Sequence, residues 1–238
     1  MLPMHRFHQR IREKALDVTA APVLIVAFGD SVTQGAMEYG RLAPDTVYHR
    51  LLQTRLEQHY PTTTFSTLNA GVGGSSAPQA LARLDRDVIR HQPDLVLIAF
   101  GLNDSLGGPE KLAGFEAALT QTIAAIREKT EADIVLLTPP FMATRRNPAR
   151  IHPRHLDFAD SILRTQCDGA LALYAEKIRD IARNTRTPLA DIHASWTRLR
   201  DTGADTDDWL GNGLNHPDIR GHRLAADLLF QTILATAV

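Results

Sequence analysis

Short apolar runs alternate with longer amphipathic segments along most of the chain. The apolar runs are uninterrupted or rich in β-branched residues, as strands buried on both faces of a parallel sheet are. They cover 23–28, 63–68, 94–100, 134–137 and 188–192. Apolar residues at three-to-four spacing predict helices over 46–58, 78–91, 112–126, 161–184 and 221–236. Such alternation predicts an α/β fold, a parallel sheet covered by helices on both faces.

The bulk composition is that of a globular protein, with 44% hydrophobic and 22% charged residues among 238. This length suits one α/β domain over 1–238. The formal net charge of −1 gives no bulk attraction to nucleic acid or to an anionic membrane. A single cysteine, Cys167, excludes an intramolecular disulfide, and we expect it to pack within a helix.

The first 20 residues interleave charged and apolar side chains. This pattern predicts an N-terminal helical extension over 1–20 rather than a signal peptide or membrane anchor. No later segment has the apolar length that a bilayer-spanning helix needs. We therefore expect a cytoplasmic protein, and an oligomer is compatible with the sequence.

The residues that follow each strand are the first candidates for a functional site, because ligands bind parallel sheets at the carboxyl ends of the strands. The first strand is followed by GDSVTQG, a tight turn that can expose the hydroxyl of Ser31, although Asp30 and Ser31 also suit a helix cap. The second is followed by NAGVGGSS, where Gly71, Gly73 and Gly74 let backbone amides approach a ligand. This run lacks the G-x-G-x-x-G pattern, so a nucleotide-binding oxidoreductase is the weaker alternative.

Two further motifs lie after the third strand and before the last helix. The third strand leads into Gly101-Leu102-Asn103-Asp104, in which the Asn103 amide could donate to an oxyanion or form an Asx turn. The sequence NGLNHP ends with His216 and Pro217. Because Pro217 keeps His216 off the following helix, the imidazole can reach the carboxyl edge of the sheet.

In this order the four motifs resemble those of the SGNH (GDSL) hydrolase superfamily, and the resemblance covers nearly the whole chain. The family's signature blocks correspond here to Ser31, Gly74, Asn103 and His216. The resemblance implies a flavodoxin-like three-layer α/β/α fold with a five-stranded parallel sheet. It also implies an ester hydrolase that acts on a small-molecule ester and uses no metal or organic cofactor.

The resemblance further implies a role for each residue of the site. His216 takes the proton of Ser31, which attacks the ester carbonyl and forms an acyl-enzyme. The N–H groups of Ser31 and Gly74 and the side chain of Asn103 hold the oxyanion, with Gly71 and Gly73 as alternative donors. Asp30 and these two glycines are also candidates for contacts with substrate.

One position departs from the family's pattern, which places an aspartate three residues before the histidine. This chain has Gly213 there. A backbone carbonyl of Gly213 or Asn212 could orient the imidazole instead, which predicts a Ser–His dyad. The alternative is a triad completed by Asp208, or less favourably by Asp207, from the preceding segment.

The segment 141–160 is long for a connection and rich in Arg and His. Either it is a solvated surface loop, or its basic residues, with Arg145 and Arg154 as candidates, cover the site and favour an acidic or polyhydroxylated substrate. Several histidines in this segment and near the C-terminus could suggest a metal site, but their spacing matches no compact metal-ligand motif. The residues weighed for such a site are His152, His155, His216, His222 and Asp218.

The expected substrate follows from the composition. With eight Phe and two Trp, little in the chain suggests a tunnel that would hold a lipid chain. We expect a small acyl group, such as acetyl, on a polar or carbohydrate alcohol. Lysophospholipase or thioesterase activity remains open within the superfamily. A non-catalytic binding protein on the same fold is the alternative from another class, and the missing acid at Gly213 is its best support.

Overall fold

A computed structural model, which describes residues 4–236, contains one five-stranded parallel sheet of order β2-β1-β3-β4-β5. The strands are β1 (Val23–Gly29), β2 (Phe65–Gly71), β3 (Leu95–Ala99), β4 (Asp133–Leu137) and β5 (Leu189–Ala190). This order is that of flavodoxin-like folds, and it confirms the predicted fold class. The order reverses between β1 and β3, so their carboxyl ends flank the crevice where such sheets bind ligands.

Helices cover both faces of the sheet. Among residues 4–236 they are α1 (His5–Leu16), α2 (Ser31–Gln34), α3 (Tyr48–His59), α4 (Ala77–Ala80), α5 (Leu84–Asp87), α6 (Leu102–Ser105), α7 (Leu112–Lys129), α8 (Leu156–Cys167), α9 (Ala170–Thr185), α10 (Ile192–Asp201) and α11 (Ile219–Leu234). Side chains alternate between two apolar cores along each strand, as Ile25 and Val26 do. One core packs under α1, α3, α8, α10 and α11, and the other under α4, α5, α7 and α9.

Helix α1 lies against the first core. Its residues Phe7 and Ile11 are buried there, and the backbone N–H of Phe7 donates to Asp133 Oδ2 at 2.8 Å. Arg10 Nε reaches Asp94 Oδ1 at 3.2 Å. The predicted N-terminal extension thus contains the helix α1. Apolar packing and polar contacts join this helix to the start of β4 and to Asp94, which precedes β3. Within the described residues, no helix combines the length and apolar character needed to cross a bilayer.

Two predicted helices are divided in the structure. The segment 78–91 forms α4 and α5 with 3₁₀ turns beside them, and Arg83, at φ −111° and ψ 0°, leaves the helical conformation. The segment 161–184 belongs to α8 and α9, which Gly169 separates with a φ of 85°. The Asp168-Gly169 pair is a turn signal that a periodicity count overlooks. Cys167 is exposed at the end of α8, so the expectation that it packs is wrong.

The fifth strand is shorter than predicted, because the chain begins a helix sooner. Its paired residues are Leu189 and Ala190 alone. The Asp191 side chain then accepts from Ala194 N at 3.1 Å and caps α10, a helix that the sequence analysis missed. At the opposite edge β2 extends to Gly71 rather than ending at 68.

Candidate active site

Ser31 is the first residue of α2, one residue beyond Asp30 and two beyond the end of β1. Asp30 caps this short helix by accepting from Val32 N at 2.9 Å. The turn packs tightly on the end of β2, since a Cβ built on Gly71 would lie 2.2 Å from Gln34 N. Only glycine permits that approach, which holds Ser31 at the carboxyl edge of the sheet.

His216 meets Ser31 from the far end of the chain, with Nε2 3.0 Å from Ser31 Oγ. It sits in the loop 210–217, whose ends are joined by an antiparallel bridge between Leu210 and Pro217. Within the loop, Gly211 N donates to His216 O at 2.8 Å. The ring is therefore carried by a closed loop immediately before α11.

Asn212 organises this loop through its side chain. Its Oδ1 accepts from the N–H groups of Leu214, Asn215 and His216 at 3.0, 2.9 and 3.0 Å. Its Nδ2 donates to Asn215 Oδ1 at 3.0 Å, and the side chain is buried. Asn212 therefore positions the backbone of His216 through its side chain, whereas the sequence offered its backbone carbonyl, or that of Gly213, as a partner for the imidazole.

Neither candidate carboxylate reaches the base. Among residues 4–236, no carboxylate or carbonyl oxygen bonds to the second ring nitrogen of His216, Nδ1. Asp208 pairs with Arg150 and Arg220 at 3.1 and 2.9 Å, and Asp207 accepts from the backbone N–H of Thr144 at 3.0 Å. The geometry is thus that of a Ser–His pair.

Gly213 itself explains why an aspartate does not occupy its position. Its φ is 69°, and a Cβ there would lie 2.9 Å from the Cβ of Arg150. An aspartate at this position requires both a left-handed backbone and movement of the neighbouring chain.

Burial controls the protonation of the base. Removal of the ring from water, together with the nearby His155, lowers the pKa of His216 to about 4. The imidazole is therefore neutral at neutral pH and can accept a proton from Ser31. Burial has the opposite effect on a neighbouring acid, since it raises the pKa of Asp30 to about 7.

Backbone amides face the same edge of the sheet. The N–H groups of Ser31, Gly73 and Gly74 donate to no oxygen of the described residues, and Gly74 has a φ of 72°. The N–H of Gly71 already donates to Asn69 Oδ1 at 2.9 Å. Gly71 is therefore the poorest of the three predicted glycine donors.

Asn103 lies next to these amides. Its Nδ2 donates to Ser75 O at 3.2 Å and approaches Asp30 Oδ2 at 3.4 Å. Asp104, which the sequence analysis treated only as part of a motif, accepts from Gly101 N at 3.0 Å and from Ala77 N at 2.8 Å. The Asp104 side chain therefore links two segments, the turn on which Asn103 lies and the loop that follows β2.

Arg83 fastens the two strand ends that carry the site. Its guanidinium donates to Gly29 O and Ala70 O at 2.8 and 2.7 Å. It also pairs with Asp87 at 2.9 Å and lies 4.5 Å over the Phe28 ring. The sequence offers no signal for this role, because an arginine in an amphipathic segment reads as a solvated residue.

Three of the four arginines of the segment 141–160 are paired with acids. Arg145 pairs with Asp205, and Arg150 pairs with Asp208 at 3.1 Å. Arg154 instead extends toward Tyr39, with Nη1 3.4 Å from its hydroxyl. Of the two arginines predicted to contact substrate, Arg154 is the one that approaches Tyr39, a residue of the open groove described next.

An open groove of about 660 Å³ lies beside the base. Its lining is Ala36, Glu38, Tyr39, Gly40, Arg41, Leu42, His155, Asn212 and His216. Within the described part of the chain, no three His, Cys, Asp or Glu side chains are placed to hold a metal ion. Ser31, His216 and the amides around them form the rest of the site. It suits proton transfer from a serine hydroxyl beside donors for an oxyanion.

Known proteins are similar to this chain over the residues that form the site. Residues 27–224 match the GDSL-like lipase/acylhydrolase family, a range that contains all four motifs. An acetylxylan esterase from Geobacillus stearothermophilus is 24% identical over 226 residues, covering 88% of this chain and 93% of the relative. An arylesterase from Vibrio mimicus is 30% identical over 114 residues, covering 48% of this chain and 52% of the relative.

Solved structures show the same fold. Crystal structures of the acetylxylan esterase superpose with a TM-score of 0.68 at 22% identity, covering 90% of this chain and 95% of that one. They include catalytic mutants in which a serine, an aspartate or a histidine is replaced by alanine. An α/β hydrolase from the metagenome of Lake Arreo also has a TM-score of 0.68, at 21% identity, covering 92% of this chain and 98% of that one. With the fold, the order of the motifs and the matched range in agreement, this chain belongs to the GDSL-like lipase/acylhydrolase family and is an ester hydrolase.

Proposed function

We propose that the protein hydrolyses esters through an acyl-enzyme, with Ser31 as nucleophile and His216 as its base. The observation that carries the proposal is the 3.0 Å contact between Ser31 Oγ and His216 Nε2. A nucleophile and a base at hydrogen-bond distance are what covalent acyl transfer requires. The lowered pKa of His216 keeps that base unprotonated at neutral pH.

The reaction then follows from the positions of the groups. His216 Nε2 takes the hydroxyl proton while Ser31 Oγ bonds to the ester carbonyl carbon, and the carbonyl oxygen becomes an oxyanion. The carbon–oxygen bond to the alcohol breaks, and the alcohol leaves with the proton from His216. Water repeats the sequence, giving its proton to His216 and releasing the acid, after which Ser31 regains its hydroxyl.

The amides around Ser31 supply the charge stabilisation. Ser31 N–H and Gly74 N–H donate to the oxyanion, with Gly73 N–H as the alternative, and Asn103 Nδ2 turns from its long contact with Asp30 to join them. Each such donor contributes about 3 kcal/mol to transition-state stabilisation. Among residues 4–236 no carboxylate pairs with His216, so its imidazolium is less stabilised than in a triad and acylation is correspondingly slower.

The substrate class is a small acyl group, such as acetyl, on a polar or carbohydrate alcohol. Two observations support it. The groove beside His216 is open to solvent, and Glu38, Arg41 and Asn212 stand among its otherwise mostly apolar lining, which suits an alcohol with both apolar faces and hydroxyl groups, such as a sugar, better than a lipid chain. The relative that matches along most of the chain is an acetylxylan esterase.

The test measures hydrolysis of p-nitrophenyl acetate, butyrate and octanoate by the purified protein and by two variants. Ser31→Ala should lower kcat by about 10⁴-fold or more, because the nucleophile is removed. Ser66→Ala, which replaces an exposed serine of β2, should retain full activity. Acetate should be the best of the three substrates.

Two outcomes would contradict the proposal. Equal activity of the wild type and Ser31→Ala would exclude Ser31 as nucleophile. Lack of hydrolysis of these and of acetylated sugars, with sugar binding retained, would instead support a binding protein on this fold.

A further inference from the structure

Tyr39 lies at the tip of the loop that follows α2, directly beside the base. The loop leaves α2 at Gly35 and is closed by an antiparallel bridge between Ala36 and Leu42. Ala43 N donates to Gly35 O at 2.9 Å, which joins its two ends. The Tyr39 side chain is 40% exposed and lines the same groove as His216.

The Tyr39 ring has one covered face and one open face. The His152 ring stacks on it with centroids 3.6 Å apart and planes 9° from parallel. The His155 ring is 4.9 Å away at an interplanar angle of 78°, and the two histidine centroids are 6.4 Å apart. These three distances form a triangle with nearly a right angle at Tyr39. His155 therefore lies at the edge of the tyrosine ring, and neither histidine covers the face opposite His152, which we call the free face.

The stack is held from both sides. His152 caps the short 3₁₀ turn Pro153–His155, with its Nδ1 accepting from Arg154 N at 3.3 Å. Arg154 Nη1 lies 3.4 Å from the Tyr39 hydroxyl. Two chain segments far apart in sequence thus fix one aromatic plane. An aromatic ring held in this way loses little conformational entropy when a ligand stacks on it.

The charges around the free face select the chemistry of its ligand. Arg41 and Arg154 stand beside the ring, and Glu38 is the nearby carboxylate, itself 3.7 Å from Arg41. Two guanidinium groups against one carboxylate disfavour a cationic ligand such as a quaternary ammonium. The negative face of an aromatic ring attracts polarised C–H groups. A pyranose ring offers those groups on its face and hydroxyls at its rim for the surrounding donors and acceptors.

We propose that the free face of Tyr39, backed by His152 and edged by His155, binds the sugar ring that carries the scissile ester. The sugar is then on the alcohol side of the reaction, next to His216, which must protonate the departing sugar hydroxyl. This assignment rests on the proposed ester hydrolysis at Ser31, and it names the group that selects the alcohol.

The experiment compares kcat/KM for a peracetylated methyl β-xylopyranoside with kcat/KM for ethyl acetate, whose alcohol is too small to reach the ring. In Tyr39→Ala the ratio of the two should fall about tenfold, mainly through KM for the sugar ester. Tyr39→Phe should keep the ratio within about twofold, because the aromatic face remains. Phe158→Ala is the matched control, since Phe158 is similarly exposed at 44% and lies outside the groove.

Binding provides a second readout that needs no turnover. Saturation-transfer NMR should detect the acetylated xyloside on Ser31→Ala protein and a signal at least several-fold weaker on the Ser31→Ala, Tyr39→Ala double variant. An unchanged ratio in Tyr39→Ala, or equal binding by the two proteins, would overturn the assignment of the sugar site. Activity that survives in Ser31→Ala would instead overturn the proposed mechanism, and the binding comparison would still decide the role of Tyr39.

Discussion

Replacement of Asn212 by alanine should damage both the stability of the protein and the placement of its base. Three backbone N–H groups of a buried loop, those of Leu214, Asn215 and His216, would lose their common acceptor. Each unpaired bond is worth about 1 kcal/mol, so the free energy of unfolding should fall by about 3 kcal/mol. For a protein of this size, that loss lowers Tm by about 6–12 °C.

The assay pairs thermal and urea unfolding with kcat/KM for p-nitrophenyl acetate. Because Asn212 supports the backbone of His216, we expect kcat/KM to fall at least tenfold at a temperature where the variant remains folded. Asn212→Asp retains an acceptor for the three N–H groups and loses only the bond to Asn215 Oδ1, so it should retain most of the stability. Asn184→Ala, at an exposed site in α9, is the control and should be neutral. A drop in Tm of less than about 2 °C for Asn212→Ala would refute the reasoning, because it would mean that the three bonds contribute almost nothing.

The remaining predictions concern the base and the buried arginine. kcat/KM should rise as pH increases through about 4 and then stay level to neutral pH, because only the unprotonated form of His216 accepts the proton and burial lowers its pKa to about 4. A midpoint near the ordinary histidine value of about 6.5 would show that the ring is solvated. Arg83→Met should lower the free energy of unfolding by about 3 kcal/mol, because it removes one of the two arginines paired with Asp87 and a charged donor from the carbonyls of Gly29 and Ala70. Arg86→Met is its control: Arg86 also pairs with Asp87 but is 70% exposed, and equal destabilisation by the two substitutions would contradict the role of Arg83.

The sheet and the position of Ser31 at its carboxyl edge could be predicted from sequence because both depend on local pattern. Buried parallel strands leave continuous apolar runs, and Ser31 follows the clearest of these. The carboxyl ends of parallel strands lie at one edge, so the motif with Asn103 had to lie near Ser31. His216 entered the set through its place before the last helix. In the structure His216 Nε2 lies 3.0 Å from Ser31 Oγ.

The supporting contacts could not be predicted, because they depend on how distant segments meet. Arg83 binds carbonyls 54 and 13 residues away in the sequence, and no local pattern encodes such contacts. The Tyr39 ring is likewise positioned by two histidines of another loop. The side-chain role of Asn212 is an exception. Asn is a favoured first residue of an Asx turn, in which its side-chain oxygen accepts from backbone N–H groups a few residues farther on. The motif NGLNHP begins with such an Asn, Asn212.

The two residues of the proposed catalytic pair are 185 positions apart, and this separation affects when activity can arise during synthesis. The loop that carries His216 is anchored by α11, whose His222 accepts from Tyr48 N of α3 at 3.3 Å. A growing chain that still lacks α11 has its serine turn, its five strands and His216, but not the helix that packs on α3. On the proposed mechanism we expect hydrolysis only after α11 has been synthesised and packed, so a chain shortened before α11 should be inactive.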